Sequence, residues 1–599
     1  MRLTVYSIIC ILSIIACTPE KQKMSVDKPM ETTSKKLVIY QMMTRLFGNK
    51  TAVNKSYGTI EENGVGKFND IDAAALNGIK EMGVTHIWYT GVLEHATLTD
   101  YSAYGIPLDD ADVVKGRAGS PYAIKDYYDV NPDLAVNVPD RMREFEGLVK
   151  RTHDHDLKVI IDFVPNHVAR AYRSDAKPSG IKDLGEDDNP SVAFEPRNNF
   201  YYLPGESFRP PSDYRPLGNL PHPTKDGMFH EVPAKATGND EFSASPGVNS
   251  WFETVKLNYG IDIQNNRATH FDPVPDTWIK MRDILLFWAG KNIDGFRCDM
   301  AEMVPAAFWA WVIPQIKDEK PDLIFIAEIY NPAQYRDYIH TGKFDFLYDK
   351  VLLYDTLRSL INGHGSSMGI AEIQKNLAGI NHQMLHFLEN HDEQRIASTD
   401  FAGGPWRALP AMVVSTTIDR GPVMIYFGQE VGEPGSGAEG FQADDGRTTI
   451  FDYWGVPEHQ KWMNEGKFDG GKLSDEQKQL RRFYSELLTF ASSNKAIASG
   501  QYIDLTAHNV TAGNFTPRVN AFLRFYEDER LLIVNSFNAD ELDIKIQIPP
   551  QDFEQMGLDP NTAYMGRDML WRELEIGFDE DLMFSLRLKP YSCFIFKIK

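Results

Sequence analysis

Short apolar runs, each followed by a stretch with helical spacing, recur along most of the chain. The runs are Leu37–Met42, His86–Thr90, Lys158–Phe163, Asp294–Asp299, Leu323–Glu328, Phe344–Tyr348, Gln383–Leu388 and Pro422–Phe427. They are rich in β-branched and aromatic residues and read as strands. Between them, Ile71–Met82, Asp140–His155, Asp276–Ala289, Pro305–Lys317, Pro332–His340 and Trp406–Ile418 carry the period of amphipathic helices. Eight strand–helix units predict an α/β fold, a closed (β/α)₈ barrel over 37–500. An open doubly wound sheet is the alternative, but no glycine-rich phosphate fingerprint follows the first run.

Two intervals break the rhythm. Leu93–Ser120 follows the second strand, and the stretch from His167 to about Pro275 follows the third. The latter is rich in Pro, Gly, Asn and aromatics and far exceeds an ordinary βα loop, so it predicts an inserted domain at about 168–274. Its aromatics Phe200, Tyr201, Tyr202 and Trp251 serve either as the core of that small domain or as stacking surfaces for a ligand. After a last helix at Ser474–Ser492 come Ala521–Phe525, Leu531–Asn535, Ile544–Ile548, Leu582–Leu588 and Cys593–Ile598. These predict a C-terminal all-β domain over 501–599, arranged as a sandwich.

The N-terminus reads as an export signal. Arg2 precedes an apolar run, Tyr6–Ala16, too short to span a bilayer. Ile14-Ile15-Ala16-Cys17 resembles a bacterial lipobox, in which Cys17 is acylated and becomes the mature N-terminus; cleavage after Ala16 with release of a soluble protein is the alternative. Residues 18–36 then form a polar, flexible tether. The expected location is the bacterial envelope, on its periplasmic or its outer face, with the membrane as a partner through lipid on Cys17. With Cys10 and Cys17 in the N-terminal segment, Cys298 and Cys593 are the thiols of the globular part, so no disulfide framework or multi-thiolate metal site can be built. Among 599 residues, 62 basic against 84 acidic side chains leave a net charge of −22, which argues against a nucleic-acid partner.

Chemistry concentrates where the predicted strands end. Those ends carry Asp162 with Asn166-His167, Arg297 with Asp299, Glu328, and Asn390-His391-Asp392. Arg297 and Asp299 are two apart on one strand and share a face. Carboxylates converging with an arginine and two histidines suit glycoside cleavage: an ionised acid attacks the anomeric carbon, and one of raised pKa protonates the leaving oxygen.

Four short motifs, Ile161-Asp162-Phe163-Val164-Pro165-Asn166-His167, Gly295-Phe296-Arg297-Cys298-Asp299, Ile326-Ala327-Glu328 and Phe387-Leu388-Glu389-Asn390-His391-Asp392, follow in order. In this the chain resembles the α-amylase superfamily of retaining α-glucan-active enzymes, glycoside hydrolase family 13, from residue 37 to the C-terminus. The resemblance implies Asp299 as nucleophile, Glu328 as general acid/base and Asp392 as the group that holds sugar hydroxyls and stabilises the charged transition state. It implies Arg297, His167, His391, Asn390 and Tyr122 as substrate-binding residues, Tyr122 being an aromatic platform or a packed loop tyrosine. The implied reaction is hydrolysis of α-1,4-glucosidic bonds in starch, maltodextrin or a related α-glucan. Within the fold the alternatives are an exo-acting α-glucosidase and a glucan transglycosylase; outside it, a non-catalytic glycan-binding barrel subunit.

Departures from the family pattern shape these expectations. Ala123 stands where many relatives place an Asp that grips a terminal glucose, which weighs toward action within chains. Met300-Ala301-Glu302 lacks the Lys-His pair that follows the nucleophile in many α-amylases. No cofactor is required. The resemblance offers calcium through Asn166, but Lys256 replaces an expected ligand, and its ammonium can occupy the same region and neutralise the same oxygens.

Overall fold

A computed structural model describes residues 35–571, 574–578 and 583–599. The signal segment, Cys17 and all of the tether before Lys35 lie outside them. Lys36, expected at the end of the tether, is buried and donates to the carbonyl of Asp419 at 2.7 Å.

Eight strands form the predicted barrel: β1 (Val38–Met43), β2 (His86–Thr90), β3 (Lys158–Phe163), β4 (Gly295–Cys298), β5 (Ile324–Ala327), β6 (Phe346–Tyr348), β7 (Met384–Leu385) and β8 (Val423–Tyr426). All pair in parallel in the order β7-β6-β5-β4-β3-β2-β1-β8. The ring closes just past β7, where the His386 amide donates to Pro422 and its carbonyl accepts from Met424, both at 2.9 Å. His386 is buried, with Nδ1 at 3.2 Å from Asp349 and Nε2 at 3.1 Å from Asp419. Burial opposes its charge, but the two carboxylates overcome that and raise it to about 9.

The strands are apolar on both faces because helices cover the outside while side chains fill the inside. Trp88, Trp288 and Trp309 are among the largest fully buried residues of this single core. The interval between β6 and β7, which the pattern left unassigned, holds two helices, Asp355–Ile361 and Met368–Asn376.

Both long loops fold on the C-terminal side of the barrel. After β2, Leu93–His95 pairs antiparallel with Ile124–Val130. After β3, His167–Ala169 pairs with Thr254–Lys256, and Tyr202–Leu203 with Ala234–Lys235. Phe200, Tyr201 and Tyr202 are buried in this insert, so the core reading holds for them. Trp251 is half-buried and faces the cleft.

Beyond the helix Asp475–Ser493 lie a six-stranded sheet and the antiparallel pair Leu542–Gln547 and Met583–Leu588. They share a second core that includes Leu523, Ile546, Leu588 and Phe596. Two short helices, Thr506–Thr511 and Pro550–Gln555, interrupt an otherwise β tail.

Candidate active site

The parallel register across β3, β4 and β5 assembles the centre. Arg297 is the register partner of Asp162 on one side and Ile326 on the other. Gly295 is needed for this close pairing, since a Cβ there would sit 2.6 Å from the Ile324 side chain. Arg297 is fully buried. Its Nη1 donates to Asp299 Oδ1 at 2.7 Å and lies 3.9 Å from Asp162 Oδ1, while Nη2 lies 2.9 Å from Glu328 Oε1. Its Nε donates to the Tyr348 hydroxyl at 3.2 Å. The guanidinium also lies 5.1, 5.4 and 5.3 Å from the ring centres of Trp88, Tyr122 and Tyr348. The rings shut out water while their faces favour the cation.

Three carboxylates thus share one cation in a dry site. Burial raises Asp299, and Arg297 holds it down. Burial also raises Glu328; Arg297 opposes this and the charge of Asp299 adds to it. Asp162 is pushed up to about 7 by burial against the pull of Arg297.

Two donors fix Glu328: the Met300 amide at 2.7 Å to Oε2 and the Tyr330 hydroxyl at 2.7 Å to Oε1. Met300 reaches this position in a left-handed conformation, φ 43°. In place of the Lys-His pair, Glu302 accepts the amides of Tyr330 at 3.0 Å and Asn331 at 2.9 Å, which orders the segment carrying Tyr330.

The histidines are neutral. Burial lowers His167 to about 4 and, together with Arg297, lowers His391 well below its ordinary value. His167 Nε2 is 4.0 Å from Asp299 Oδ2, placed there by the pairing of its strand with Thr254–Lys256. Gln41 donates to His391 Nδ1 at 2.9 Å, which leaves the proton on Nε2, 3.0 Å from Asp392 Oδ2 and 2.6 Å from the Tyr122 hydroxyl. Tyr122 stacks on His391 with centroids 5.1 Å apart. The Asp392 side chain is 41% exposed, so cleft water moderates the upward shift that burial and Glu328 give it.

These groups line a cavity of about 350 Å³. Tyr122, His167, Asp299, Glu328, His391 and Asp392 all face it, and Trp251, Tyr330 and Lys115 share the wall with them. Lys115 pairs with Glu253 at 2.7 Å, tying the insert after β2 to the insert after β3.

The chain matches the family described as "Alpha amylase, catalytic domain" over residues 53–456, two thirds of its length. It belongs to the α-amylase family. It is 24% identical over 446 residues to Alpha-amylase 3 of Dictyoglomus thermophilum, covering 70% of this chain and 74% of that one. It is also 24% identical over 415 residues to a cyclomaltodextrin glucanotransferase of Bacillus sp. strain 1011, spanning 66% of this chain but only 49% of the transferase. The fold is similar to that of an α-amylase from Geobacillus thermoleovorans solved with acarbose, TM-score 0.60 at 18% identity, over 95% and 99% of the two chains.

Several expected roles acquire different geometry. Arg297 lies beneath the carboxylates, outside the cavity wall. Asn390 is buried and accepts the amides of Asp392 and Glu393 at 2.8 and 2.9 Å, so it shapes the turn that presents Asp392. Asn166 faces Lys256, whose buried ammonium donates to Asn166 Oδ1, pairs with Asp240 at 2.7 Å and reaches the Met303 carbonyl at 3.4 Å. These oxygens already surround a cation of the chain's own, and the residues do not fit calcium at that place. Tyr330, Gln41 and Lys115 lie outside the four motifs; the only sequence signal for Tyr330 is its place two residues beyond Glu328.

Tyr330 generates a pH prediction. An acid that must carry a proton loses activity as pH rises through its pKa. The Tyr330 hydroxyl stabilises the Glu328 carboxylate and so lowers that pKa. Tyr330→Phe is therefore expected to move the alkaline limb of kcat/KM up by about one pH unit, the worth of one hydrogen bond to a charged group. An unmoved or lowered limb contradicts the role.

Proposed function

We propose that this protein is a retaining glycosidase acting on α-1,4-glucans. The observation that carries the reading is the Arg297-bound pair of Asp299 and Glu328. Both carboxylates sit on one guanidinium, Asp299 on Nη1 at 2.7 Å and Glu328 on Nη2 at 2.9 Å, which supports the close spacing of retaining chemistry, roughly 5–5.5 Å, over the roughly 6.5–9.5 Å that inverting chemistry needs to admit a water. In the first step an Asp299 oxygen bonds to the anomeric carbon as the bond to the departing oxygen breaks, and Glu328 gives that oxygen its proton. In the second, Glu328 takes a proton from water, which attacks the same carbon and releases Asp299. Neutral His167 and His391, with Tyr122 below, offer hydrogen bonds and a stacking face to the bound sugar. Asp392, open to the cleft, accepts sugar hydroxyls.

Transglycosylation differs only in the acceptor, and the glucanotransferase relative supports keeping it as the second reading. Ala123 packs in an apolar cluster with Leu98, Val114 and Leu217, away from the cavity. That place therefore supplies no polar grip on a terminal glucose, which supports action within chains. Calcium at Asn166 is not required, because Lys256 supplies the positive charge there. We further propose that the protein is exported and tethered to an envelope membrane through acylated Cys17; among the described residues no helix is long and apolar enough to cross one.

Incubation with amylose, pullulan and maltotriose tests the main reading. Mixed oligosaccharides are expected early from amylose, and Asp299→Asn is expected to lower their rate by more than about a thousandfold. Glucose alone from chain ends contradicts action within chains. No product, or a variant retaining a tenth of the parent rate, contradicts the assignment. For the anchor, Cys17→Ser is expected to shift the protein from the detergent phase to the aqueous phase on phase separation; equal partitioning contradicts it.

A further inference from the structure

Away from the cleft, Glu94, Asp129 and Asp175 each place a carboxylate oxygen within 4.8 Å of the others. Glu94 is 1% exposed, and neither of its oxygens has a hydrogen-bond partner among the described residues. An unpaired ionised carboxylate stripped of water is among the costliest groups a fold can bury. The neighbouring cations are committed elsewhere. Arg141 donates to Asp129 at 2.8 Å, and Lys125 pairs with Asp109 at 3.0 Å. Asp126 accepts the Ser174 hydroxyl at 2.6 Å and the amides of Tyr128, Asp175 and Ala176. Thus the acids around Glu94 are satisfied or open to water, while Glu94 itself is not.

We propose that Glu94, Asp129 and Asp175 bind a hard divalent cation of the calcium class. The donors are all oxygen, and no imidazole or thiolate belongs to the cluster, which selects a hard ion over zinc or copper. Strand irregularity aims the buried acid: the pairing of Leu93–His95 with Ile124–Val130 shifts register on both sides of Glu94. Asp175 comes from the insert after β3, so the ion joins that insert to the loop that carries Tyr122. The site is separate from Lys256 and Asn166 and independent of the reaction proposed for the cleft.

Calorimetric titration of the EDTA-treated protein with calcium, with thermal melts in parallel, tests the proposal. One site per chain and a raised melting temperature are expected. Glu94→Gln is expected to abolish both responses. Asp175→Asn, at an exposed position that leaves folding intact, is expected to weaken binding by at least about tenfold, the loss seen when even an outer partner of a metal ligand is removed. No heat and no melting shift with calcium, magnesium or manganese overturns the proposal. So does calcium binding that both variants retain.

Discussion

One buried guanidinium sets the terms for this site. Arg297 lies within 4 Å of three carboxylates in a cavity floor walled by Trp88, Tyr122 and Tyr348. A single positive charge cannot hold three adjacent negative ones away from water, because like charges at this range disfavour joint ionisation. The cluster must therefore keep protons. Nη1 holds Asp299 at 2.7 Å and Nη2 holds Glu328 at 2.9 Å, and the charge of Asp299 raises Glu328 further. That count of charges supports the proposed reading of Asp299 as the ionised member and Glu328 as the one that carries the proton.

The same economy of charge runs through the surrounding shell. Two inserts roof the barrel mouth, and lysines stitch them down: half-buried Lys115 to Glu253 across the inserts, and buried Lys256 to Asn166 and Asp240 beneath His167. Because His167 pairs in register with Lys256, the ammonium that anchors the insert also fixes the imidazole facing Asp299. Positioning by a side chain of the chain itself needs no loading from solution, and it binds the geometry of the cleft to the folding of the insert.

Much of the barrel was legible in the sequence because strands buried on both faces read as unbroken apolar runs, and all eight lie where such runs occur. Weakly patterned strands of the C-terminal domain were not. Gln501–Asp504, Met565–Asp568 and Glu575–Gly577 are short and half polar, so nothing distinguishes them from loop. The acids at the strand ends were legible because barrel topology gathers those ends at one mouth. Gln41 and Lys115 were not, because their partners His391 and Glu253 are distant in sequence, and Tyr330 carries no mark beyond its place two residues after Glu328. Glu94 was invisible for the same reason: a lone glutamate in an insert acquires meaning only when Asp129 and Asp175 converge on it. For Asn390 the motif supplied the residue but not the direction of its side chain, which turns inward to cap the Asp392 turn.

The central claim is that Asp299 and Glu328, held by one arginine, act as nucleophile and acid. The most direct measurement is the anomeric form of the first product, followed by proton NMR before mutarotation, with a maltooligosaccharide as substrate. Two displacements at one carbon predict that the α-anomer appears first. Initial release of the β-anomer would mean a single displacement by water and would contradict the assignment of this pair.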